Sequence, residues 1–415
     1  MTNSLTRLGS ANTYDNALRN LSARQSALSS LQENLTSGKK VVRASDDPTG
    51  AAQAERALTR ISRIATDQRA LEAQRGSIAM AESTLGDITD ALQNFRELVV
   101  SSGNGVHGPA ERKSIAIQLQ GLRDQVFSMA NREDSNGQPL FSALGSALKP
   151  FVGPQAGAPD YTFNGLPGQT SSSEVAIPFT LDGDSAFMLQ ANRDGVYNVS
   201  LGGGTANLKT SPVTLNPPTA TTGASYTITF DTVVADAVSG LTTTNYSITG
   251  TSPASGPTPQ PPATYTTGQS TSISVTGMSG LSLAITGTPA VGDKVQVDPS
   301  PSLFSVLDDA IRDIGSAPSN AAASQAVSQA LGNIDIGMGR VSAVRGQAGD
   351  LLNRADRITS NQEKRSIQLE EDRSRAEDLD MVQGISKFQN QQTGYQAALQ
   401  SYAQVQKLSL FNYIG

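Results

Sequence analysis

The chain has 415 residues, no cysteine, no tryptophan, a single histidine and only 5% aromatic residues, with a formal net charge of −6. These values exclude disulfides, thiolate chemistry and every multi-histidine metal motif, while leaving length enough for more than one domain. Segment 150–300 carries the whole of the −6 between neutral flanks, so no part of the chain has the basic excess that a nucleic-acid binder needs.

At the N-terminus, "MTNSLTRLGSANTYDN" lacks the apolar stretch of a cleaved secretory signal, and no run of 18 apolar residues predicts a membrane span. Tyr14, Leu21, Leu28 and Leu35 then recur every seventh residue, with Ala17 and Leu31 beside them, which predicts a long amphipathic helix. The stretch "TSGKKVVRASDDPTGAA" (Thr36–Ala52) interrupts it. Lys39, Lys40 and Arg43 could grip an anion there, and Asp46 with Asp47 could hold a metal. However, the phosphate-loop pattern fails, with Glu33 and Lys40 at two required positions. A joint between helices explains more of the residues. Gly38 suits a left-handed stop, Asp47 or Ser45 a cap for the next helix, and Pro48 its first turn.

A second heptad run follows, through Ala57, Ile64, Leu71, Ile78, Leu85, Leu92 and Val99, with Ala81, Ile88 and Phe95 in the complementary seam. At about 1.5 Å per residue, some fifty residues would span roughly 75 Å. "GNGVHGP" ends this run, and Pro109 opens a third predicted helix bearing Ile115, Leu119, Leu122, Val126 and Met129. "SNGQP" (Ser135–Pro139) offers an Asn-Gly turn.

From about residue 146 to 300 the period falls to two, as in Tyr226, Ile228 and Phe230, amid Ser, Thr, Gly and Pro, which predicts an antiparallel β domain. Thr249–Gly268 reads as an exposed loop. Helical spacing returns at Leu303 and continues through Val327, Leu331, Ile334, Met338, Val341, Ala348, Leu352 and Ala355. "EEDRSRAEDLDM" (Glu370–Met381) reads as a solvated helix face with pairs such as Glu371 with Arg375. Beyond Asp380, Met381, Phe388, Tyr395 and Tyr402 repeat at seven in a segment rich in Gln and poor in charge, which suits packing against copies of itself. Long isolated helices are marginal in water, so the economical arrangement pairs the two arms antiparallel. The fold class expected is therefore discontinuous α+β: an antiparallel coiled-coil rod from both termini, carrying an inserted antiparallel β domain.

His107 lies in a Gly-rich turn, a poor place to hold a catalytic base, and reads as a surface residue.

"LTSGKKVVRASDDPTGAAQAERALTRI" (Leu35–Ile61), "LQNFRELVVSSGNG" (Leu92–Gly105) and "AEDLDMVQGISKFQNQQTGYQAALQSYAQVQKLSL" (Ala376–Leu410) closely resemble the two conserved arms of the flagellin superfamily, at matching ends and in matching order. The ending "LSLFNYIG", "GQPLFSAL" (Gly137–Leu144) and "GTPAVGDKVQVDPSPSLFSVLDDAI" (Gly287–Ile311) resemble its hook–filament junction branch more than its shaft subunits. The resemblance implies a bacterial flagellar subunit without catalysis or cofactor, an adapter layer joining hook to filament, with filament flagellin as the alternative. It further implies an extracellular location reached unfolded through the flagellar type III apparatus with an export chaperone. Expected partners are copies of the chain itself, a neighbouring hook-associated junction protein and flagellin, with no nucleic acid and no membrane. The implied domains are an inner-tube pair (1–42 and 376–415), a helical rod (43–145 and 301–375) and an outward β insert (146–300). Tyr14, Leu21, Leu28, Leu35, Met381, Phe388, Tyr395 and Tyr402 are the residues expected to pack subunit against subunit in the assembly. Gly38, Lys39, Arg43, Asp46, Asp47 and Pro48 are the expected joint.

Overall fold

The computed structural model describes residues 3–155, 160–202, 208–215, 223–251 and 256–414, with side chains described from 15 to 404 within them. Along the chain come α1 (Asn3–Ser37), α2 (Pro48–Ser102), α3 (Pro109–Ala130), β1 (Phe151–Val152), β2 (Thr162–Phe163), α4 (Gly183–Phe187) and α5 (Ala191–Asp194). Strands β3 (Tyr197–Gly202), β4 (Leu208–Thr210), β5 (Thr214–Leu215), β6 (Tyr226–Asp236), β7 (Leu241–Gly250), β8 (Thr258–Pro259), β9 (Ala263–Thr266), β10 (Thr271–Met278), β11 (Leu281–Gly287) and β12 (Lys294–Pro299) follow. The chain then closes with α6 (Leu303–Gly315), α7 (Asn320–Glu377) and α8 (Met381–Ile414). Contacts divide it into two units, Met1–Arg69 with Thr359–Gly415, and Ala70–Ile358.

In the second unit, α2 and α7 run antiparallel. Arg75 meets Asp356 at 3.2 Å, Glu82 meets Arg345 at 2.8 Å and Arg96 meets Asp335 at 2.8 Å, so partners climb one helix as they descend the other. Between them the heptad positions Leu71, Ile78, Leu85, Leu92 and Val99 are fully buried, joined by Ile334, Val341, Ala348 and Ala355 from α7. A period of seven holds one face of each helix against the other for turn after turn.

Part of the segment expected as insert packs with the helices. Phe141, Phe151, Tyr161, Leu181, Phe187 and Leu189 belong to the helical core with α2, α3 and α6. Phe304 at the start of α6 is the hub, with ring centroids 5.1 Å from Phe127, 5.3 Å from Tyr161, 5.5 Å from Phe151 and 5.7 Å from Phe187. Phe141, Phe151, Tyr161, Leu181 and Leu189 sit on loops and a two-residue strand, and Phe187 on a five-residue helix, where no period marks them. Beside them Arg123 lies 3.1 Å from Asp308 and donates to the Tyr161 hydroxyl at 2.9 Å, which donates to Asp308 at 2.6 Å. Burial, then the bond to Asp308, pushes the Tyr161 pKa up.

A separate β core begins at Tyr197. Here β3-β12-β6-β7-β8 are hydrogen-bonded in that order with β9 also on β7, and β10-β11-β4 form another sheet with β5 on β11, all pairs antiparallel. Tyr226, Ile228 and Phe230 point inward between exposed or half-exposed neighbours, as a period of two requires. The reading of Thr249–Gly268 as a loop is corrected. Residues 252–255 lie outside the described ones, but β8 and β9 pair β7 at Ile248↔Thr258 and Thr242↔Tyr265. Short Thr- and Pro-containing strands give too little alternation to be read alone. Side-chain amides of α7 dock this core: Gln325 accepts from the Thr210 amide at 3.0 Å, and Asn333 donates to the Tyr197 carbonyl at 3.0 Å.

Burial pushes the pKa of Asp309, on α6, up to about 6, against the opposing pull of Arg312 at 2.8 Å. Its folded pKa thus exceeds its unfolded one, and the folded state binds more protons between the two. The stabilising contribution is complete below pH ~4 and is lost as pH rises through 6. Asp309→Asn keeps a neutral side chain there, while Arg312 retains Asp313 at 2.9 Å. At pH 7 it should add on the order of 2 kcal/mol of unfolding free energy. Urea titrations of both proteins at pH 4 and pH 7 check this, and an equal gain at the two pH values would refute it.

Candidate functional site

Among the described residues no three His, Asp or Glu side chains are placed to share a metal, and no helix is long and apolar enough to cross a membrane. His107 is half-buried in the turn before α3, and the buried Arg112 donates to its carbonyl at 2.6 Å. The same guanidinium donates to Asn320 at 2.9 Å and to the Ala317 carbonyl at 3.2 Å, so it ties two loops together. A cavity of about 610 Å³ near Asp160, Asn198, Asp298 and Asp309 holds no histidine and no lysine in its lining. The expected joint lies in the first unit, where the chain turns twice.

Gly38 has φ +71°, the left-handed conformation that stops α1. Its carbonyl accepts from the Leu379 amide at 2.8 Å, and the Lys40 amide donates to the Glu377 carbonyl at 2.8 Å, so the α1–α2 and α7–α8 connections form one small bridge at Lys39↔Asp378. Lys39 pairs with Glu377, which Arg373 also contacts at 3.0 Å, and these cations, Lys39 foremost, hold the Glu377 carboxyl below its ordinary pKa. Lys40 donates to the Arg375 carbonyl at 2.7 Å. Arg43 reaches Glu33 at 2.8 Å, while Asp46 accepts from the Val42 and Arg43 amides at 3.2 and 2.8 Å. Asp47 caps α2, accepting from the Gly50 and Thr49 amides at 3.0 and 3.1 Å and the Thr49 hydroxyl at 2.7 Å, with Pro48 in the first turn. The Gly50 amide, then the Thr49 hydroxyl, holds its carboxyl below the usual range. Asp380 repeats the device for α8, accepting from Val382 and Gln383 at 3.0 and 3.1 Å. Every charge that suggested an anion or metal site is therefore engaged in closing two turns.

A Cβ on Gly38 would meet nothing within 4 Å, so only its dihedral resists substitution. Gly38→Ala should cost about 1 kcal/mol through the left-handed conformation alone. Gly38→Asn should cost less, because Asn tolerates that region. Thermal unfolding of the two variants checks the order, and equal losses would refute it.

Helices α1 and α8 pair antiparallel in the same unit. A Cβ on Gly384 would touch Leu35 at 3.2 Å, and one on Gly394 would touch Arg24 at 2.7 Å. This register sets Leu31 across from Phe388, Leu28 from Gln391, Leu21 from Ala398 and Ala17 from Tyr402. All of these, with Leu35 and Tyr395, are half-buried. The seven-residue repeats therefore face each other within one chain. Met381 departs from its series at 46% exposed, and Val382 (82%), Ile385 (46%), Leu399 (42%) and Leu18 (43%) stay exposed beside the seam. That second apolar face escapes a search for one strict repeat. Tyr14 lies on α1, but its side chain is outside the described residues. The expected pair Glu371 with Arg375 does not form. Arg375 bonds Asp372 instead, one turn back on the flank facing α2.

Two family regions match the chain: the bacterial flagellin N-terminal helical region over residues 10–145 and the bacterial flagellin C-terminal helical region over residues 331–414, together more than half of it. Flagellar hook-associated protein 3 of Escherichia coli is 34% identical over 141 residues, covering 33% of this chain and 44% of that one. The protein of the same name from Salmonella typhimurium is 32% identical over 148 residues, covering 35% and 46%. The matches thus span under half the length of these relatives. The crystal structure of the flagellar junction protein FlgL from Legionella pneumophila superposes with a TM-score of 0.57 at 24% identity, over 73% of this chain and 98% of that one, so the fold is shared.

Proposed function

We propose that this chain, which belongs to the flagellin family, is a structural subunit of the bacterial flagellum that forms an adapter layer between hook and filament. The observation that carries this reading is the combination of both terminal flagellin regions with relatives whose names place them at the hook. The geometry supports it. Two capped turns bring α1 back along α8, and Leu18, Met381, Val382, Ile385 and Leu399 are left exposed on that pair, a surface that other subunits can cover. In this reading 1–42 with 376–415 line the inner tube, 43–145 with 301–375 form the tube wall, and 146–300 projects. Leu21, Leu28, Leu35, Phe388, Tyr395 and Tyr402 lie on the helix pair, and they, with Tyr14, Met381 and its exposed neighbours, pack subunit against subunit. Those subunits are copies of the chain, a neighbouring hook-associated junction protein and flagellin. The subunit reaches the exterior through the flagellar type III apparatus with an export chaperone.

The test is deletion of the gene, together with gold-labelled antibody to the β core on isolated flagella. Hooks should remain while flagellin is shed into the medium, and the label should form a band at the hook's distal end. Label along the whole shaft would replace this reading with the second one, filament flagellin, whose name the two matched regions carry.

A further inference from the structure

The start of α2 and the end of α7 form an antiparallel hairpin within the first unit, closed by Ala54, Ala57 and Ile64 on one helix and Gln362, Leu369 and Ala376 on the other. With about 3.6 residues per turn, the remaining positions fall on two opposite flanks of that apolar line. One flank is basic. Arg56, Arg60 and Arg63 on α2 and Lys364, Arg365 and Arg375 on α7 are all exposed there, with Asp372 between them. A groove of about 480 Å³ runs along it, lined by Arg56, Arg60, Asp372 and Arg375. The opposite flank of α7 is acidic: Glu363, Glu370 and Glu371 are exposed, around Ile367 at 62% exposure. It holds its own concavity of about 610 Å³, lined by Ile367, Glu370, Glu371 and Asp378.

The charges are also unspent. Among the described residues, Arg56, Arg60 and Arg63 have no carboxylate within ion-pair distance, and neither Glu363 nor Glu371 has a cation. An exposed helix usually mixes its signs and pairs them along one face. This hairpin largely separates them across its two sides instead, with Asp372 on the basic side and Arg373, paired with Glu370 at 2.7 Å and Asp378 at 3.6 Å, on the acidic one.

We propose that the basic groove receives the acidic flank of a second copy of this chain, with Ile367 seated among the α2 arginines. This deepens the structural-subunit reading and rests on it. Such a contact joins two different patches, so a pair of copies keeps one free flank of each sign, the acidic one on the first copy and the basic one on the second. Head-to-tail contacts of this kind generate rings or helical arrays rather than closed dimers. Individually exposed ion pairs are weak, so the apolar contact supplies holding while the charges set partner and register.

The absence of cysteine allows a direct test on the purified full chain. A chain carrying Arg60→Cys is mixed with a tagged chain carrying Ile367→Cys and allowed to oxidise. At about 0.02 M salt the disulfide between positions 60 and 367 should exceed both homotypic products by more than about tenfold, and the preference should fall at about 0.5 M. Adding Arg56→Glu and Arg63→Glu to the first chain should abolish the preference. Adding Glu363→Arg and Glu371→Arg to the second should then restore it, which a misfolded variant cannot do. A statistical mixture of products, or no rescue, overturns the proposal, as does a preference unaffected by salt. Preferential capture of added flagellin at position 60 would also overturn it by naming another occupant. Because the readout uses purified chains, its failure is distinguishable from a misplaced band on isolated flagella, which would sink the functional reading instead.

Discussion

Replacing Phe304 by alanine should cost about 3–5 kcal/mol, the range for removing a fully buried aromatic ring from a core that cannot collapse around the gap. Phe304 is 0% exposed and its ring meets Phe127, Phe151, Tyr161 and Phe187, contributed by α3, β1, the loop before β2, and α4. None of these neighbours can follow the lost ring, because each packs on the helical core as well. Against a total stability of about 5–15 kcal/mol, the loss brings the second unit close to unfolding at 37 °C. Urea denaturation should show a lower midpoint with an unchanged slope. Phe179, 50% exposed on the same loop region, is the control, and Phe179→Ala should stay within about 0.5 kcal/mol. Equal losses at the two positions would mean that the aromatic cluster is not the core it looks like.

The second large effect is expected at Leu28. It is half-buried on the α1–α8 face, opposite Gln391 in the register set by Leu35 with Gly384 and Arg24 with Gly394. A carboxylate placed there by Leu28→Asp should cost about 1–3 kcal/mol of the pairing. Helices that rely on one another have little reserve, since neither is stable alone in water. The outcome expected is loss of helical circular dichroism and early proteolysis at both ends, with unfolding of 70–358 unchanged. In cells the variant should be exported yet fail to assemble, leaving non-motile hooks. Normal motility would remove the terminal helix pair from any role in assembly.

Both effects bear on how far the sequence could be read. The heptads from Ala57 to Val99 needed no structure, because a strict period of seven over a proline-free run permits only a helix with one buried stripe. The turn chemistry around Gly38, Asp47 and Pro48 is equally local: a left-handed stop, a capping carboxylate and a fixed φ act within a few residues. What escaped was everything held by contacts distant in sequence. Phe151, Tyr161 and Phe187 lie on a two-residue strand, a loop and a five-residue helix, too short for any spacing to announce that they belong with Phe304. Strands β8 and β9 exist because β7 offers them an edge, and their own residues read as loop.

By itself, then, the sequence determined the helical arms, the change of composition between them and the absence of thiol and multi-histidine chemistry, since each follows from period, composition or residue count. Only the tertiary structure decided which partner each face meets. It turned Leu28 and Phe388 toward each other's helices inside one chain, engaged Lys39 with Glu377 across 338 residues, and left Arg60 and Glu371, on opposite flanks of one hairpin, without an ion pair among the described residues. Period and composition say that a surface must be covered; the antiparallel register of two distant segments determines by what.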